Sequence, residues 1–494
     1  MGTLADPIRA AWRAAGAGVP GRRRVIVLLA AVLALDSADL GTVGAVAADL
    51  ERSLHIGDLE VGVLASVVSL TAAIATLPVG WLTDRVPRVP LLAGSIALWS
   101  VASFVSGLSA SYLMLVLTRL ALGAVQATSG PTLASLTGDL FRVRERSRIF
   151  GFIHAGELVG GAFGFLVSGE IAAFLSWRWA FWALSVPGFA LAVALWRGLP
   201  EPSRGGSGRF RHPEHDREDE ELVQKLVREQ GVQPDEERVL REDPDRLPVR
   251  ATVRHLFRLR TNLLLIASFA LGYFFLGGAR TFGVIFFRGH YHLGQATATG
   301  ASAVLGVGAL IGVVLGGRVA DRRLGEGRLA ARVTVSAVGY LAAAALFVAP
   351  ILLTQIAFAL PLYVLAAGAL TLPSAPLDAA ILDVIPGPLW GRGEGLQTAL
   401  RTVAMALAPV LFGFLADALG STGGHSFGQG TYGSNRASGA QGLDLTFLVM
   451  LVALVVAGVL LLRARRTYGR DVATSLATEA AVASRRGEGA SRAA

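Results

Sequence analysis

The stretch GWLTDR at positions 80–85 ends a long apolar run, and GRVADR at positions 317–322 ends another. Both stretches place an aspartate four residues after a glycine and follow it directly with an arginine. One Gly-x-x-x-Asp-Arg match is a weak signal in a long chain. Its return at the corresponding place in the second half indicates two duplicated bundles, related by an axis along the membrane normal.

The chain on either side of these two motifs contains further apolar runs. Twelve runs in all are long enough to cross a bilayer, since one transmembrane helix needs about 20 apolar residues. Hydrophobic residues make up 53% of the 494 residues and charged residues only 16%, whereas a soluble domain carries about 25% charged residues. The sequence therefore predicts an all-α integral membrane protein with twelve transmembrane helices in two six-helix bundles. The predicted spans are 25–48, 60–82, 89–108, 112–138, 146–173, 178–198, 261–287, 296–317, 330–351, 353–382, 393–419 and 443–464.

Arginine placement predicts the orientation. Clusters precede span one and follow spans two, four, eight and twelve, while the opposite loops hold few, namely Arg52, Arg178, Arg288 and Arg436. Because loops rich in positive charge stay in the cytoplasm, both termini are predicted to be cytoplasmic. The expected segments are an N-terminal tail (1–24), a first bundle (25–198), a central loop (199–258), a second bundle (259–465) and a C-terminal tail (466–494).

The polar segments carry weaker signals. Apolar residues recur at helical spacing over 222–227, which favours a short amphipathic helix in the central loop. That loop is interpreted as a tether between the halves, with a regulatory binding site as the alternative. The Gly/Ser-rich stretch 420–442 is predicted to be mobile and extracytoplasmic, and the last thirty or so residues are predicted to be a disordered tail.

Composition and motifs exclude several function classes. The net charge of +9 is spread between apolar segments, so nucleic acid is not an expected partner. The absence of cysteine removes thiol catalysis and iron–sulfur clusters, and the single lysine, Lys225, lies outside any P-loop motif. The metalloprotease motif His-Glu-x-x-His does not occur. The sequence therefore predicts no enzyme activity, no cofactor and no resident metal.

A second repeat, an aspartate followed at a fixed spacing by an arginine, occurs in both halves. Asp139 and Arg148 lie nine residues apart after span four, and Asp383 and Arg392 lie nine apart after span ten. An aspartate at a helix end can accept backbone N–H groups of the next helix and pair with loop arginines. We predict a latch at the cytoplasmic ends, with ordinary helix-terminal charge as the alternative. Its predicted members are Gly80, Asp84, Arg85, Arg88, Asp139, Arg148, Gly317, Asp321, Arg322, Asp383 and Arg392.

These motifs resemble those of the major facilitator superfamily over roughly residues 22–470. The GWLTDR loop is similar to its best-known signature, with Pro87 where a glycine is common, and Arg119 in LTRLALG (117–123) matches its span-four arginine motif. The chain looks most like the spinster-type lipid transporters, on the stretches DLGTV (39–43), PTLASLTGDLF (131–141) and AILDVIP (380–386). It differs from that branch at Leu40, where arginine is usual, and at Gln126, where glutamate is usual. The resemblance implies the major facilitator fold and transport of a lysolipid, a sphingoid or another amphiphile.

Ionisable residues inside a membrane cost free energy unless they are paired or hydrated, so they are candidates for function. Asp36 and Asp39 lie three residues apart on span one and form a carboxylate pair suited to proton binding. Arg119 lies on span four, with Gln126 two turns further along the same face. By resemblance, Asp39 and Arg119 approach each other, and a pair that weakens on protonation is the predicted coupling switch. A static ion pair that fixes helix register is the alternative.

Four more charged residues are candidates for the substrate cavity. His154 and Glu157 lie three residues apart on span five and could relay protons, because histidine titrates near neutrality. A solvated position near the cytoplasmic end is the alternative for this pair. Arg280 on span seven could meet an anionic headgroup or a carboxylate, and Asp378 on span ten is a further candidate.

Glycines recur at every fourth position over 156–164 on span five and over 308–316 on span eight. Small residues at this spacing let two helices approach closely. The resemblance implies that spans five and eight face each other across the two bundles. A sliding contact between the two ridges is therefore predicted, with static packing as the alternative.

The sequence predicts a secondary active transporter that moves a small amphiphilic or hydrophobic solute by alternating access, coupled to protons or another ion. Multidrug or antibiotic efflux by proton antiport is the alternative, and a non-transporting receptor or scaffold is a distant one. The expected partners are a small-molecule or lipid substrate, the coupling ion and the lipid bilayer. We expect a monomer in the cell membrane, which is the inner membrane if the source is bacterial.

Overall fold

The computed structural model describes residues 21–56, 58–202, 223–240, 244, 247–420 and 436–493. All regular secondary structure in these ranges is helical. Among the described residues, twelve helical segments are long and apolar enough, by length and composition, to cross a membrane. Large apolar side chains such as Leu70, Ile74 and Phe163 are exposed, as expected where lipid takes the place of water. The prediction of an all-α protein with twelve spans is confirmed.

The spans are numbered in chain order. The first six are formed by the helices Arg22–Ala45, Asp58–Thr83, Arg88–Gly107, Tyr112–Gln126 with Ser129–Leu140, Arg146–Phe174 and Trp177–Gly198. The last six are formed by Arg260–His290, Gln295–Gly325, Ala331–Leu352, Ile356–Thr371 with Ser374–Val384, Trp390–Gly420 and Arg436–Ala493. The shorter helices include Ala47–Leu54, after span one, and Val249–Arg258, before span seven. The latter is called the juxtamembrane helix.

Spans four and ten are each broken into two helices. The second helix begins at Ser129 in span four and at Ser374 in span ten. In both cases its third residue is a proline, Pro131 or Pro376. Proline has no N–H to donate to the preceding turn, which favours a new helix start at this point. The same interruption in both halves is a further sign of duplication.

The chain divides into two compact units. The first comprises Met1–Lys225 together with Gly387–Glu394, and the second comprises Leu226–Pro386 together with Gly395–Ala494. Spans one to six therefore lie in the first unit. A short segment from the second half of the sequence, 387–394, completes that first unit.

The two glycine ridges pack inside their own units. On span five, Gly156, Gly160 and Gly164 face Ala30, Ala34 and Ala38 of span one, and on span eight, Gly308, Gly312 and Gly316 face Val364, Gly368 and Leu372 of span ten. A Cβ atom on Gly156 would lie only 2.6 Å from the carbonyl oxygen of Ala30. The predicted sliding contact between the ridges is wrong, because each is already covered by a helix of its own unit.

The C-terminal helix continues beyond membrane length. Arg436–Ala493 is a single helix of 58 residues, so the prediction of a disordered tail was wrong. Asp471 on its extension accepts a hydrogen bond from the backbone N–H of Thr261 (2.8 Å). The hydroxyl oxygen of Thr474 accepts one from the backbone N–H of Asp235 (2.9 Å). The extension therefore holds the end of the central loop in place.

The central loop itself is helical where the amphipathic pattern predicted it. Residues 223–229 form a helix, and the apolar side chains of Val223, Leu226 and Val227 are buried. Leu222 and the preceding acidic stretch lie outside the described residues, as does most of the Gly/Ser-rich stretch, 421–435.

We expect Asp471→Ala to loosen the central loop without unfolding the spans. The substitution leaves the buried N–H of Thr261 without its acceptor, which costs about 1–3 kcal/mol locally. Hydrogen–deuterium exchange of the full chain should show faster exchange over 223–240 and 249–260, because local opening becomes easier. Arg485→Ala, further along the same helix, is the control, and equal exchange in the two variants would contradict the predicted role.

The juxtamembrane helix is fixed to the second unit by one face. Thr252 and Leu256 on that face are 0% exposed. Asn262 donates a hydrogen bond from its side-chain nitrogen to the carbonyl oxygen of Leu256 (3.0 Å). That bond satisfies one of the carbonyl groups that a helix C-terminus leaves without an intrahelical partner.

His255, on the same helix, is expected to make stability depend on pH. Burial, together with the positive charges of Arg258 and Arg238, lowers the pKa of His255 from 6.5 to about 4. The unfolded chain therefore binds this proton at a higher pH than the folded chain does. Stability is complete above the unfolded pKa and is lost as the pH falls from about 6.5 toward 4, by at most about 3 kcal/mol.

Thermal unfolding of the wild type and of His255→Gln, recorded across that pH range in the same detergent, measures this effect. We expect the wild type to lose more stability on acidification than the variant, which has no proton to take up at this position. An identical pH dependence in the two proteins would refute the assignment.

Candidate functional site

A buried ion pair joins spans one and four in the first unit. Arg119 donates from Nη1 to both carboxylate oxygens of Asp39, at 2.9 Å each. Asp39 is 0% exposed and Arg119 is 1% exposed. The guanidinium carbon lies 4.5 Å from the centroid of the Phe181 ring. The structure thus brings together two of the candidates chosen from the sequence.

The guanidinium of Arg119 keeps unused donors. Its Nε and Nη2 atoms are buried, and neither has a hydrogen-bond partner among the residues that the structure describes. A buried donor without a partner costs about 1–3 kcal/mol. Arg119 can therefore bind an oxygen of a ligand or of water while it still holds Asp39.

Asp36 lies one turn before Asp39 in a second polar group. It is 8% exposed, and its electrostatic neighbours are Ser129 and Gln126 of span four together with the carboxylates of Asp39 and Glu157. Gln126 donates from Nε2 to the backbone carbonyl of Asp36 (3.3 Å). Because Gln126 is the last residue before the break in span four, the break positions its amide against span one.

His154 and Glu157 form a pair on span five. Nδ1 of His154 lies 2.9 Å from Oε2 of Glu157, and the imidazole is buried while the carboxylate is partly exposed. The first unit therefore gathers three carboxylates, one arginine and one histidine on spans one, four and five. Coupled acids beside a histidine can hold a proton and pass it between sites.

The second unit holds a smaller polar group on span ten. Gln397 donates from Nε2 to Oδ1 of Asp378 (3.1 Å), and both side chains are buried. Arg280 of span seven is exposed, with no ion-pair or hydrogen-bond partner within the described ranges. No contact among the described residues of this unit joins Arg280 to Asp378.

The sequence reading missed Arg401 of span eleven. Its guanidinium carbon lies 4.7 Å from the ring centroid of Tyr273 and 5.4 Å from that of Phe269, within the distance of a cation–π contact. The rule that selected Arg119, an arginine inside an apolar span, also applies to Arg401.

Asp84 caps the start of span eleven inside the first unit. Its Oδ1 accepts from the backbone N–H of Gly391 (2.8 Å) and its Oδ2 from that of Arg392 (3.1 Å). The Nε of Arg392 lies 3.3 Å from the same carboxylate. A carboxylate at a helix N-terminus is stabilised by the free N–H groups and by the helix dipole.

Gly80 allows this cap to form. A Cβ atom at position 80 would lie 2.6 Å from the carbonyl oxygen of Gly391, so a side chain there would push segment 387–394 away. The glycine and the aspartate of the first motif therefore act on the same segment.

Arg88 and Asp139 form the second charged contact of the first unit. Arg88 is 1% exposed, pairs with Asp139 and also lies 3.2 Å from Glu201. The sequence suggested an arginine of the following loop as partner for Asp139, and in the structure Arg148 of that loop lies 3.2 Å from Glu145. The aspartate thus connects span four to the start of span three.

The equivalent contact in the second unit centres on Arg332, which sequence reasoning missed. Arg332 is 0% exposed, pairs with Asp383 and lies 3.3 Å from Asp321. Tyr468 donates a hydrogen bond to Asp383 (2.5 Å). The internal duplication could have predicted this pair, because Arg332 and Asp383 are 51 residues apart, as are Arg88 and Asp139 in the first unit.

The remaining latch candidates are peripheral. Arg85 stacks on the ring of Trp81, with its guanidinium carbon 3.9 Å from the centroid. Arg322 lies 3.2 Å from Glu326 in an exposed pair on one helix, a type worth about 0.3–0.5 kcal/mol. Gly317 is buried within span eight.

Comparison with known proteins decides the family. The sequence model of the Major Facilitator Superfamily matches residues 29–409. The chain belongs to the major facilitator superfamily. Proteins of this superfamily are membrane transporters, so a small-molecule substrate and a multi-pass location in a membrane follow from the membership.

Curated relatives of this superfamily member match over part of their length. Human protein spinster homolog 1 is 30% identical over 196 residues, which cover 38% of this chain and 37% of the human protein. A probable L-galactonate transporter of Escherichia coli K12 is 32% identical over 145 residues, 29% of this chain and 32% of that protein. The chain thus matches about a third of the length of these relatives.

Solved superfamily structures match over nearly the whole chain. An inward-facing, occupied bacterial homologue of the human lysosomal transporter spinster has a TM-score of 0.56 at 18% identity and covers 92% of this chain and 99% of its own. A human organic anion transporter has a TM-score of 0.60 at 14% identity and covers 90% of this chain and 100% of its own. At these identities the likeness is one of fold.

Proposed function

We propose that this superfamily member is a secondary active transporter that moves a small amphiphilic or hydrophobic solute by alternating access, with protons as the coupling ion. The observation that carries the proposal is the buried contact between Asp39 and Arg119. A buried ion pair adds little net stability compared with an apolar pair of the same size. A functional role accounts for its position inside the span better than a stabilising one does.

In the proposed coupling step, a proton binds the carboxylate of Asp39. The neutral acid holds the guanidinium of Arg119 less tightly than the carboxylate does. Arg119 then turns its free donors to the solute, and release of the proton restores the pair. Asp36, Glu157 and His154 are proposed to deliver the proton, since they lie beside this pair on spans one and five.

The orientation and the latch belong to the same proposal. Both termini are cytoplasmic, as the arginine-rich loops favour, and the contact between Asp84 and segment 387–394 lies on that side. Since the carboxylate binds two backbone N–H groups and an arginine, it is suited to holding the cytoplasmic ends together in one state of the cycle and releasing them in the other. A monomer is the proposed working unit.

The substrate class proposed first is an amphiphile such as a lysolipid or a sphingoid, which the likeness to the spinster homologues supports. A small organic acid is the second candidate. It is favoured by the two unused donors of Arg119 and by the relative described as a probable L-galactonate transporter. Hydrophobic drugs are the third class to be tested.

The test uses the purified chain in liposomes with an imposed pH gradient and a pH dye inside. Lysolipids and sphingoids, sugar acids, and cationic or hydrophobic drugs are added in separate panels. We expect proton movement with the first panel, and none in liposomes that carry Arg119→Ala. Exposed Arg328→Ala is the matched control and should behave as the wild type.

Each outcome decides between the alternatives. Proton movement with sugar acids alone assigns the organic-acid function, and movement with drugs alone assigns multidrug efflux. Solute uptake without proton movement refutes proton coupling. If none of the three panels produces proton movement or solute uptake, all three proposed substrate classes are refuted.

A further inference from the structure

The exposed face of the juxtamembrane helix is strongly basic. Arg250, Arg254 and Arg258 recur at every fourth position, so they lie on one face over about 12 Å of helix. All three side chains are exposed, and none has an ion-pair or hydrogen-bond partner in the part of the chain that the structure describes. Phe257, which is 40% exposed, lies on the same face between the arginines.

This face differs sharply from the rest of the helix. Thr252 and Leu256, on the opposite side, are fully buried, so the helix cannot turn its arginines inward. Asn262 holds its C-terminal end. The basic face is therefore presented outward by a helix that is fixed to the second unit, rather than by a mobile loop.

The helix also directly precedes a membrane-spanning helix. It ends at Arg258, and the helix of span seven begins at Arg260, which is itself exposed. A helix joined so closely to a membrane-spanning segment lies at the depth of the lipid headgroups. Helices with arginines and an exposed aromatic residue on their free face bind the bilayer interface, where anionic headgroups attract the cations and the ring enters the acyl boundary.

We propose that Arg250, Arg254 and Arg258 form a binding site for the anionic headgroups of phospholipids in the leaflet beside the juxtamembrane helix, with Phe257 inserted between the acyl chains. The ligand chemistry is a phosphate ester that carries negative charge. The lipid of the surrounding bilayer is the source, because the face lies next to span seven. This site is independent of the transported solute.

The test measures lipid binding, not transport. The full chain, purified in detergent, is titrated with phosphatidylglycerol and with phosphatidylcholine, and bound lipid is counted by native mass spectrometry. Each arginine near a membrane surface contributes about fivefold in affinity for anionic lipid, so Arg250→Gln, Arg254→Gln and Arg258→Gln together should weaken phosphatidylglycerol binding by about 100-fold. Binding of phosphatidylcholine should stay the same.

The matched control removes three arginines from span twelve, as Arg463→Gln, Arg465→Gln and Arg466→Gln. These arginines are also exposed, lie on the same predicted side of the membrane and carry the same charge, but their spacing spreads them around the helix. The control should keep its affinity for phosphatidylglycerol. An equal loss in the control would assign the effect to net charge and overturn the site, as would unchanged binding in the first variant.

A third arm distinguishes lipid from free anion. Millimolar inorganic phosphate is added to the wild-type complex with phosphatidylglycerol, and retention of the lipid is the expected result. Displacement of the lipid by phosphate would show that a soluble anion suffices and would overturn the proposal of a lipid site. Thermal unfolding in the same detergent should be unchanged in both triple variants, since all six side chains are exposed.

Discussion

Arg119→Ala abolishes proton-coupled transport, with an expected loss of at least about 100-fold in rate. The substitution removes the guanidinium whose Nη1 donates to both carboxylate oxygens of Asp39 and leaves a carboxylate buried at 0% exposure. Without the guanidinium, the pair can no longer alternate between bound and released states. Proton movement in liposomes with an imposed pH gradient measures the loss, and Asp39→Asn should give the same result.

A double variant distinguishes the two interpretations of the Asp39–Arg119 pair, a coupling switch and a static ion pair. Breaking a buried ion pair on one side costs about 3–5 kcal/mol, whereas replacing both partners by apolar residues is often neutral. Asp39→Leu with Arg119→Met should therefore restore the thermal stability that either single variant loses, and should still fail to transport. If this double variant transports at the wild-type rate, the pair serves only helix register.

The second large effect is expected at Arg332. Its replacement by alanine takes the guanidinium away from the buried carboxylate of Asp321 and the partly buried carboxylate of Asp383, and should lower the free energy of unfolding by about 3–5 kcal/mol. Thermal unfolding of the purified chain in detergent measures this loss. Arg332→Lys should recover part of it, because an ammonium group restores the charge but not the two-sided geometry of the guanidinium.

Two controls accompany this prediction. Arg328→Ala, four residues earlier and exposed, should change stability by no more than about 0.5 kcal/mol. Arg88→Ala removes the equivalent contact of the first unit and should destabilise by a similar amount to Arg332→Ala, because Arg88 is just as deeply buried. A stable Arg332→Ala protein would mean that the two aspartates find other partners.

The sequence predicted the parts of this fold that depend on local pattern. Length and hydropathy of the apolar runs predicted twelve spans, and the repeated motifs predicted that Asp84, Asp139, Asp321 and Asp383 occupy helix ends. Burial of Asp39 against Arg119 followed from the cost of a charge in a membrane together with the family resemblance. These predictions need only local sequence patterns, the repeat between the two halves and the family resemblance.

Partners far apart in the sequence were harder to predict. Arg332 and Arg88 are ordinary loop arginines by composition, and only the helix packing brings each to an aspartate 51 residues away. The glycine ridges could be recognised as close-contact surfaces, but their spacing does not say which helix they contact. The tail was misread because its polar residues suggest disorder, whereas in the structure Asp471 and Thr474 bind the central loop.

The composition of the first unit has a consequence for biosynthesis. Segment 387–394 supplies the N–H groups that Asp84 binds and the ring of Trp390 that lies under Arg146. The ribosome reaches this segment only after it has translated spans seven to ten, which at about 5–20 residues per second takes of the order of ten seconds or more. Throughout that interval the nascent first unit lacks the two N–H groups that Asp84 binds, so the two halves are expected to finish folding together although they are synthesised in turn.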